Sequence, residues 1–442
     1  MTVVILTGCG RAPTGELVGV QDRDTWFEPD PYGMVFVPQG SFVMGPSDED
    51  VMWANNAFNR TVSVDAFWMD ETEITNNKYR QFVYHVRDSI MRRMLADAGR
   101  TEYEITEDEF GEPLDEPILN WEEPIDMEDL ETNQILEDMY YQGDERFWGR
   151  KELDTRKLNF EYFWVDYEQA ARSSNRYNFE TEEYDGVVYD QDGQESPIED
   201  RSSFVLRDVV NVYPDTLVWI HDFTYSYNEP MANMYFWHPS YDDYPVVGVT
   251  WEQAKAFSIW RTQYLNEHLA RRGEGFVQNY RLPLESEWEY AARGGLELSP
   301  YPWGGPYTRN YDGCFLANFK PLRGNYTDDG WLYTAPVASF EPNDYGLYDM
   351  AGNVAEWTEN AYDESFYTVT HDLNPNYSYN ALPDDPPALK RKVVRGGSWK
   401  DVAYYLQVST RSYEYQDTAT SYVGFRNVRS YLGDKGGGTQ WW

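Results

Sequence analysis

The stretch "GLYDMAGNVAEWTEN" (Gly346 to Asn360) places Asp349 and Glu356 seven residues apart, with Gly352 between them to allow a tight loop. Two carboxylates joined by backbone carbonyls are what a hard cation accepts as oxygen ligands, at about 2.3–2.6 Å. Acidic residues also decorate solvated loops, and spacing alone leaves both readings open. Downstream, short strands and loops rich in Gly, Asn, Asp and Trp continue to "GFR" (Gly424 to Arg426).

Working outward, 442 residues with 41% hydrophobic and 17% aromatic content can bury one large core or two domains. Thirty-seven Tyr and 17 Trp beside 32 Gly and 24 Pro point to a loop-rich fold packed on aromatic rings. No run of 18 apolar residues spans a membrane as a helix. A formal charge of −40 repels phosphate backbones, which excludes nucleic acid and favours divalent cations and basic protein faces as partners.

Cys9 and Cys314 cannot build a disulfide framework. Cys9 ends "ILTGC" (Ile5 to Cys9), the pattern of a bacterial lipoprotein signal. A four-residue match near a terminus also arises by accident, and signals carry basic residues and a longer apolar run than Met1 to Leu6 provides. The lipoprotein reading therefore expects a start upstream of Met1. It makes residues 1–8 a signal remnant and Cys9 a lipid anchor. Residues 9–31 become a polar tether, and Cys314 an unpaired, buried small hydrophobe.

The globular pattern opens at "GMVFVPQGSFVMG" (Gly33 to Gly45), two short strands around a Pro-Gln-Gly turn. In "ETEITNNKYRQFVYHV" (Glu71 to Val86), Thr75 caps a helix with Tyr79, Phe82, Val83 and Val86 on one face. Thr250 and Gln253 form a capping box before a helix carrying Trp251, Ala254, Phe257, Ser258 and Trp260. "RLPLESEWEYAARGG" (Arg281 to Gly295) is a helix ended by a glycine pair. Between Thr101 and Asp200 lie 32 acidic and 7 basic residues, yet aromatic clusters persist. This reads as a folded acidic insertion over about 90–245, mobile first at "TEYEITEDEFGEPLDEP". It serves as solvated surface or as a docking face for a basic partner. The tail 431–442 ends a domain over 32–430.

Five segments in fixed order, "ETEITNNKYRQFV", "RLPLESEWEYAARGG", "GLYDMAGNVAEWTEN", "RGGSW" and "GFR", resemble the formylglycine-generating-enzyme (sulfatase-modifying-factor) domain family. The resemblance implies an α+β, C-type-lectin-related fold with little regular secondary structure. It implies structural calcium at Asp349, Gly352, Val354 and Glu356, the middle two through their carbonyls. A second family calcium site matches Asn318, Phe319, Asp329 and Trp331. Ala355 stands where the family usually has Trp. Catalytic members bind copper(I) through cysteines at the positions of Asp401 and Leu406 in "RGGSWKDVAYYL" (Arg395 to Leu406). Neither residue supplies the soft thiolate that copper(I) needs, so no copper and no oxidase activity are expected. The five histidines show no local ligand spacing, and no nucleophile elbow or phosphate loop replaces the lost chemistry.

"MVFVPQGSFVMGPSDEDV", "MDETEITNNKYRQFVYHVRDS" and the aromatic stretch Tyr213–Ala254 resemble more closely the gliding-motility lipoprotein K family of the type 9 secretion system. That resemblance implies a lipid-anchored protein on the periplasmic face of the outer membrane. It implies a ring built from copies of itself and an N-type partner protein. "GRAPTGEL" after Cys9 lacks an acidic surface-export cluster, which favours the periplasmic leaflet. Partner contacts are expected within about 90–245. A divergent oxidase, a glycan-binding module using Trp331 or Trp399, and the related lipoprotein J are the competing readings.

Overall fold

Polar caps set where the two long helices start. Helix α1 (Asn76–Asp97) begins as Thr75 Oγ1 accepts from the Lys78 amide at 3.3 Å. Helix α2 (Trp251–Arg271) begins on the expected reciprocal box: the Gln253 amide donates to Thr250 Oγ1, and the Thr250 amide to Gln253 Oε1. The computed structural model describes residues 30–46, 58–107, 111–190, 193–222, 230–321 and 325–433. Cys9, the tether and most of the tail lie outside the described residues.

Two small sheets carry the remaining frame. Strands β1 (Met34–Val37), β2 (Gly40–Met44), β3 (Arg60–Val64) and β4 (Phe67–Asp70) precede α1. β1 and β2 flank the Pro-Gln-Gly turn without pairing to each other. β1 pairs with β4 (Met34 opposite Asp70) and β2 with β3 (Gly40 opposite Val64). After α1, β5 (Glu104–Glu107) pairs with β6 (Pro113–Leu119), so ordered strands occupy part of the stretch expected to be mobile. β7 (Asn159–Val165) and β8 (Val205–Asn211) form a seven-residue antiparallel ribbon.

β9 (Tyr280–Arg281), α3 (Glu285–Arg293), β10 (Ala355–Ala361), β11 (Arg391–Arg395), β12 (Ser412–Tyr415), β13 (Val423–Gly424) and β14 (Val428–Ser430) complete the frame. The first sheet runs β1-β4-β14-β9 and is antiparallel. The second runs β12-β11-β10-β13, with β10 and β13 parallel. Helices packed against mixed small sheets make an α+β architecture.

The largest core joins α1 (Tyr79, Phe82, Val83, Val86), α2 (Phe257, Trp260) and the second sheet (Trp357, Val394). Tyr79 stacks on Phe257 at 5.6 Å, and Phe82 lies edge-on to Phe257 at 5.8 Å. The acidic segment shares this core. Leu158 and Tyr162 are buried in it, Phe160 meets Phe82 at 5.3 Å, and Tyr79 donates to the Val212 carbonyl at 3.0 Å. α1 also continues unbroken through residue 90. Residues 31–431 accordingly form one unit, in which the acidic segment is a layer rather than a domain of its own.

Candidate functional site

The "RGGSW" stretch leaves β11 at Arg395, whose side chain is fully buried. Its Nη2 donates to the Glu289 carboxylate and its Nη1 to the carbonyls of Ser409 and Thr410, both at 2.9 Å. Glu289 also receives Arg293 at 2.6 Å and the Gly45 amide at 2.9 Å, while Arg411 clasps Glu285 at 2.5 and 3.0 Å. Glutamates one helical turn apart on α3 thus meet three guanidiniums, Arg293 on the same helix and Arg395 and Arg411 from distant segments. The positive φ of Gly397 (68°) lets the chain turn where a Cβ would fall 2.7 Å from the Tyr405 carbonyl oxygen.

The family's copper positions follow this turn. Asp401 accepts from Ser398 Oγ at 2.6 Å, and burial pushes its carboxyl up. Leu406 is fully buried among Tyr301, Phe319 and Ala351. A hydrogen-bonded carboxyl and a core aliphatic group stand where two thiolates would be required. Cys314 is exposed, not buried as expected, because it sits in a turn whose amide donates to Asn310 Oδ1.

The two expected cation sites lie on abutting loops. The Asn353 amide donates to the Asn318 carbonyl at 2.8 Å, and a Cβ on Gly352 (φ 82°) would lie 2.4 Å from that same oxygen. This contact is why Gly352 is glycine. Behind it, Asp349 accepts from the Ala338 amide at 2.7 Å, while Glu356 accepts from Trp288 Nε1 at 2.8 Å and Arg426 at 2.6–2.9 Å. Val354 is buried, and its amide donates to Glu73, which carries no local sequence signature, at 3.3 Å. Asn353 Nδ2 reaches the other oxygen of Glu73 at 3.0 Å.

Glu73, Asp349 and Glu356 are therefore buried carboxylates facing one guanidinium, Arg426. Burial, with Asp349 and Glu356 nearby, holds the Glu73 carboxyl well above its usual range, and burial pushes Asp349 up to about 6. This excess of buried acid is the chemistry a divalent cation neutralises. On the second loop Asp329 Oδ1 accepts from the Trp331 amide at 3.1 Å, while its Oδ2 is buried without a hydrogen-bond partner. The adjacent Asn318 and Phe319 are buried, and Trp331 is half-buried. Both loops thus carry oxygen donors of the kind a calcium ion takes, Asp349 and Glu356 on one and Asp329 on the other. Among the described residues no group of three or more His, Cys, Asp or Glu side chains is placed to hold a metal ion.

Trp399, one of two tryptophans considered for glycan stacking, is committed to the interior. Its Nε1 donates to the Ser421 carbonyl at 3.1 Å, and its ring stacks on Trp219 at 5.9 Å.

Comparison with known proteins agrees with the architecture and the motifs. The model of the "Sulfatase-modifying factor enzyme 1-like domain" matches residues 24–431. The formylglycine-generating enzyme of Bos taurus is 34% identical over 196 residues, 43% of this chain and 45% of that protein. The "Inactive C-alpha-formylglycine-generating enzyme 2" of Bos taurus is 35% identical over 190 residues, 42% and 50% of the two chains. The chain thus spans about half the length of these curated relatives. The structure of PvdO from Pseudomonas aeruginosa superposes over 90% of this chain and 94% of its own, with TM-score 0.44 and 17% identity. Similarity to an inactive paralogue, with Asp401 and Leu406 in place of cysteines, is consistent with loss of enzymatic activity. By the match across residues 24–431, the chain belongs to the sulfatase-modifying factor enzyme 1-like domain family.

Proposed function

We propose that this chain is a non-enzymatic assembly component, a lipid-anchored subunit of the periplasmic ring of the type 9 secretion and gliding-motility machinery. The observation that carries the reading is the outer face of the β7–β8 ribbon. Phe163 is 59% and Val209 54% exposed, with Val165 and Val205 beside them, on an otherwise acidic segment. Apolar side chains on a ribbon face rimmed by charge are the composition of a docking surface, not of solvated decoration. The segment lies within 90–245, whose acidic and aromatic composition leads us to expect the contacts with the N-type partner and neighbouring copies there. The absence of thiolates at Asp401 and Leu406 supports a scaffold over a divergent oxidase, and the committed ring of Trp399 argues against glycan stacking there.

Calcium belongs to the same proposal as a structural ion. Asp349 and Glu356 with the carbonyls of Gly352 and Val354 would hold one ion. Asp329 with Asn318, Phe319 and Trp331 would hold the other. Each would neutralise buried acid and lock its loop, while the chain's own residues do no redox work.

Gentle extraction of the protein from the outer membrane of its host, followed by mass spectrometry and electron microscopy, tests the reading. A large ring with one stoichiometric second protein is expected. The double substitution F163S/V209S should abolish that ring while leaving the thermal midpoint within about 2 °C, because both side chains are exposed. A lone monomeric species from the native membrane, or rings that survive the substitution, would overturn the reading or its interface.

A further inference from the structure

The cavity between the β7–β8 ribbon, the start of α2 and the loop 379–383 has a volume of about 520 Å³. That size is typical of ligand sites and exceeds what a single side chain fills. Six carboxylates line it against three cationic side chains, Arg172, Lys255 and Lys390. Lys255 already lies over the indoles of Trp164 at 4.7 Å and Trp251 at 5.1 Å, so those faces are taken.

An acidic wall alone would be a solvated surface. A second feature points to a ligand with donors. Gln416 lines the cavity and is only 6% exposed. Its Nε2 donates to Glu252 Oε1 at 3.2 Å and to the Ala381 carbonyl at 3.0 Å, which fixes the orientation of the amide. Its Oε1 is thereby an acceptor, buried and without a hydrogen-bond partner. A buried acceptor left unpaired costs about 1–3 kcal/mol, so it is kept where something donates to it.

We propose that this cavity receives an arginine-bearing segment of a partner protein, with the guanidinium donating to Gln416 Oε1 and the Glu252 carboxylate. A planar fork of N–H donors matches two adjacent acceptors better than the point charge of an ammonium does. The room beyond the guanidinium suits the flanking peptide. The positive charge also offsets the surplus of carboxylates. The inference concerns the cavity's own chemistry and stands whether or not the ring reading holds.

The test is titration of the full chain at 150 mM salt with acetyl-Gly-Arg-Gly-amide, read by tryptophan fluorescence. The citrulline analogue, methylguanidine and maltose serve as comparison probes. Saturable binding of the arginine peptide is expected, at least tenfold weaker for the citrulline peptide and for methylguanidine. E252Q should weaken it at least tenfold with an unchanged thermal midpoint. E168Q, at an exposed position on the same wall, should weaken it severalfold, and decides the matter if E252Q fails to fold. Equal binding by citrulline or by both variants would show diffuse attraction to an acidic surface and overturn the site. Methylguanidine binding as tightly as the peptide would overturn the protein segment in favour of a free cation. Maltose binding without arginine binding would make the cavity a sugar site and likewise overturn it.

Discussion

The interior around α3 and the ribbon layer over α1 are both rich in carboxylates, and they treat them in opposite ways. In the interior Glu285, Glu289 and Glu356 are each met by arginine: Arg411, Arg293 with Arg395, and Arg426. In the ribbon layer Arg207 meets Glu161 in solvent, 61% and 37% exposed, where a pair contributes at most about 1 kcal/mol. Buried charge demands a partner, and exposed charge does not. The interior acids are therefore bound to the fold, while the outer ones remain free to face another molecule.

Removing one buried partner is the strongest way to break this contrast. R395M takes a guanidinium from Glu289 while the glutamate stays out of water. Breaking a buried pair from one side costs about 3–5 kcal/mol, and urea denaturation should show that loss. R207M, on the ribbon, should shift the transition by less than about 0.5 kcal/mol. Equal effects would mean that burial does not distinguish the two regions.

The Glu73, Asp349 and Glu356 cluster is the interior exception, with three acids to one arginine. Without metal, the folded chain holds a proton on Asp349 up to about pH 6, which the unfolded chain releases near 4. This carboxyl therefore subtracts stability as pH rises through that window. Calcium must displace the proton, so its benefit should be small at pH 5 and full at pH 7.5. At a hundredfold excess over Kd a bound ion adds about 2.7 kcal/mol. The thermal midpoint with and without calcium at the two pH values checks this, and D329N should remove the second loop's share. No calcium-dependent shift at either pH would remove calcium from the proposed function.

How much of this was legible depended on sequence distance. Thr75, Thr250 with Gln253, and Gly294 with Gly295 mark helix ends because a cap and its partner lie within one turn. "RGGSW" and "GFR" marked the family. Glu73 escaped because its partners Asn353 and Val354 lie 280 and 281 residues away and nothing local distinguishes it from its acidic neighbours. β1 and β2 look like a hairpin because their alternation reports strands, not partners, and each is claimed by a strand beyond the other. Charge marks the acidic segment only as a folded insertion. Its inward residues Phe160 and Tyr162 are what tie it to α1, and composition averages such alternation away.

Lys392 joins the two regions and tests the contrast at its smallest scale. It is 1% exposed at the second-sheet edge, donates to the Tyr379 carbonyl at 2.5 Å, and stands 3.6 Å from the Trp251 ring centre, behind the acidic cavity. Among the described residues no carboxylate pairs with it directly in the way Glu289 pairs with Arg395. Burial accordingly lowers its ammonium to about 7, against the partial support of Glu359, Glu252 and Glu168. Between pH 7 and about 10.5 the unfolded chain keeps a proton that the folded chain has given up, so stability rises with pH across that window and is lowest below 7. K392M keeps the volume and the contact with Trp251 without the charge. It should therefore stabilise the fold by about 1–2 kcal/mol at pH 6, and the gain should shrink toward zero near pH 10. Urea midpoints at the two pH values measure it. A variant that destabilises at pH 6 would mean that the acids behind the indole support Lys392 as an arginine supports Glu289, and the division between bound and free charge would have to be redrawn around the cavity.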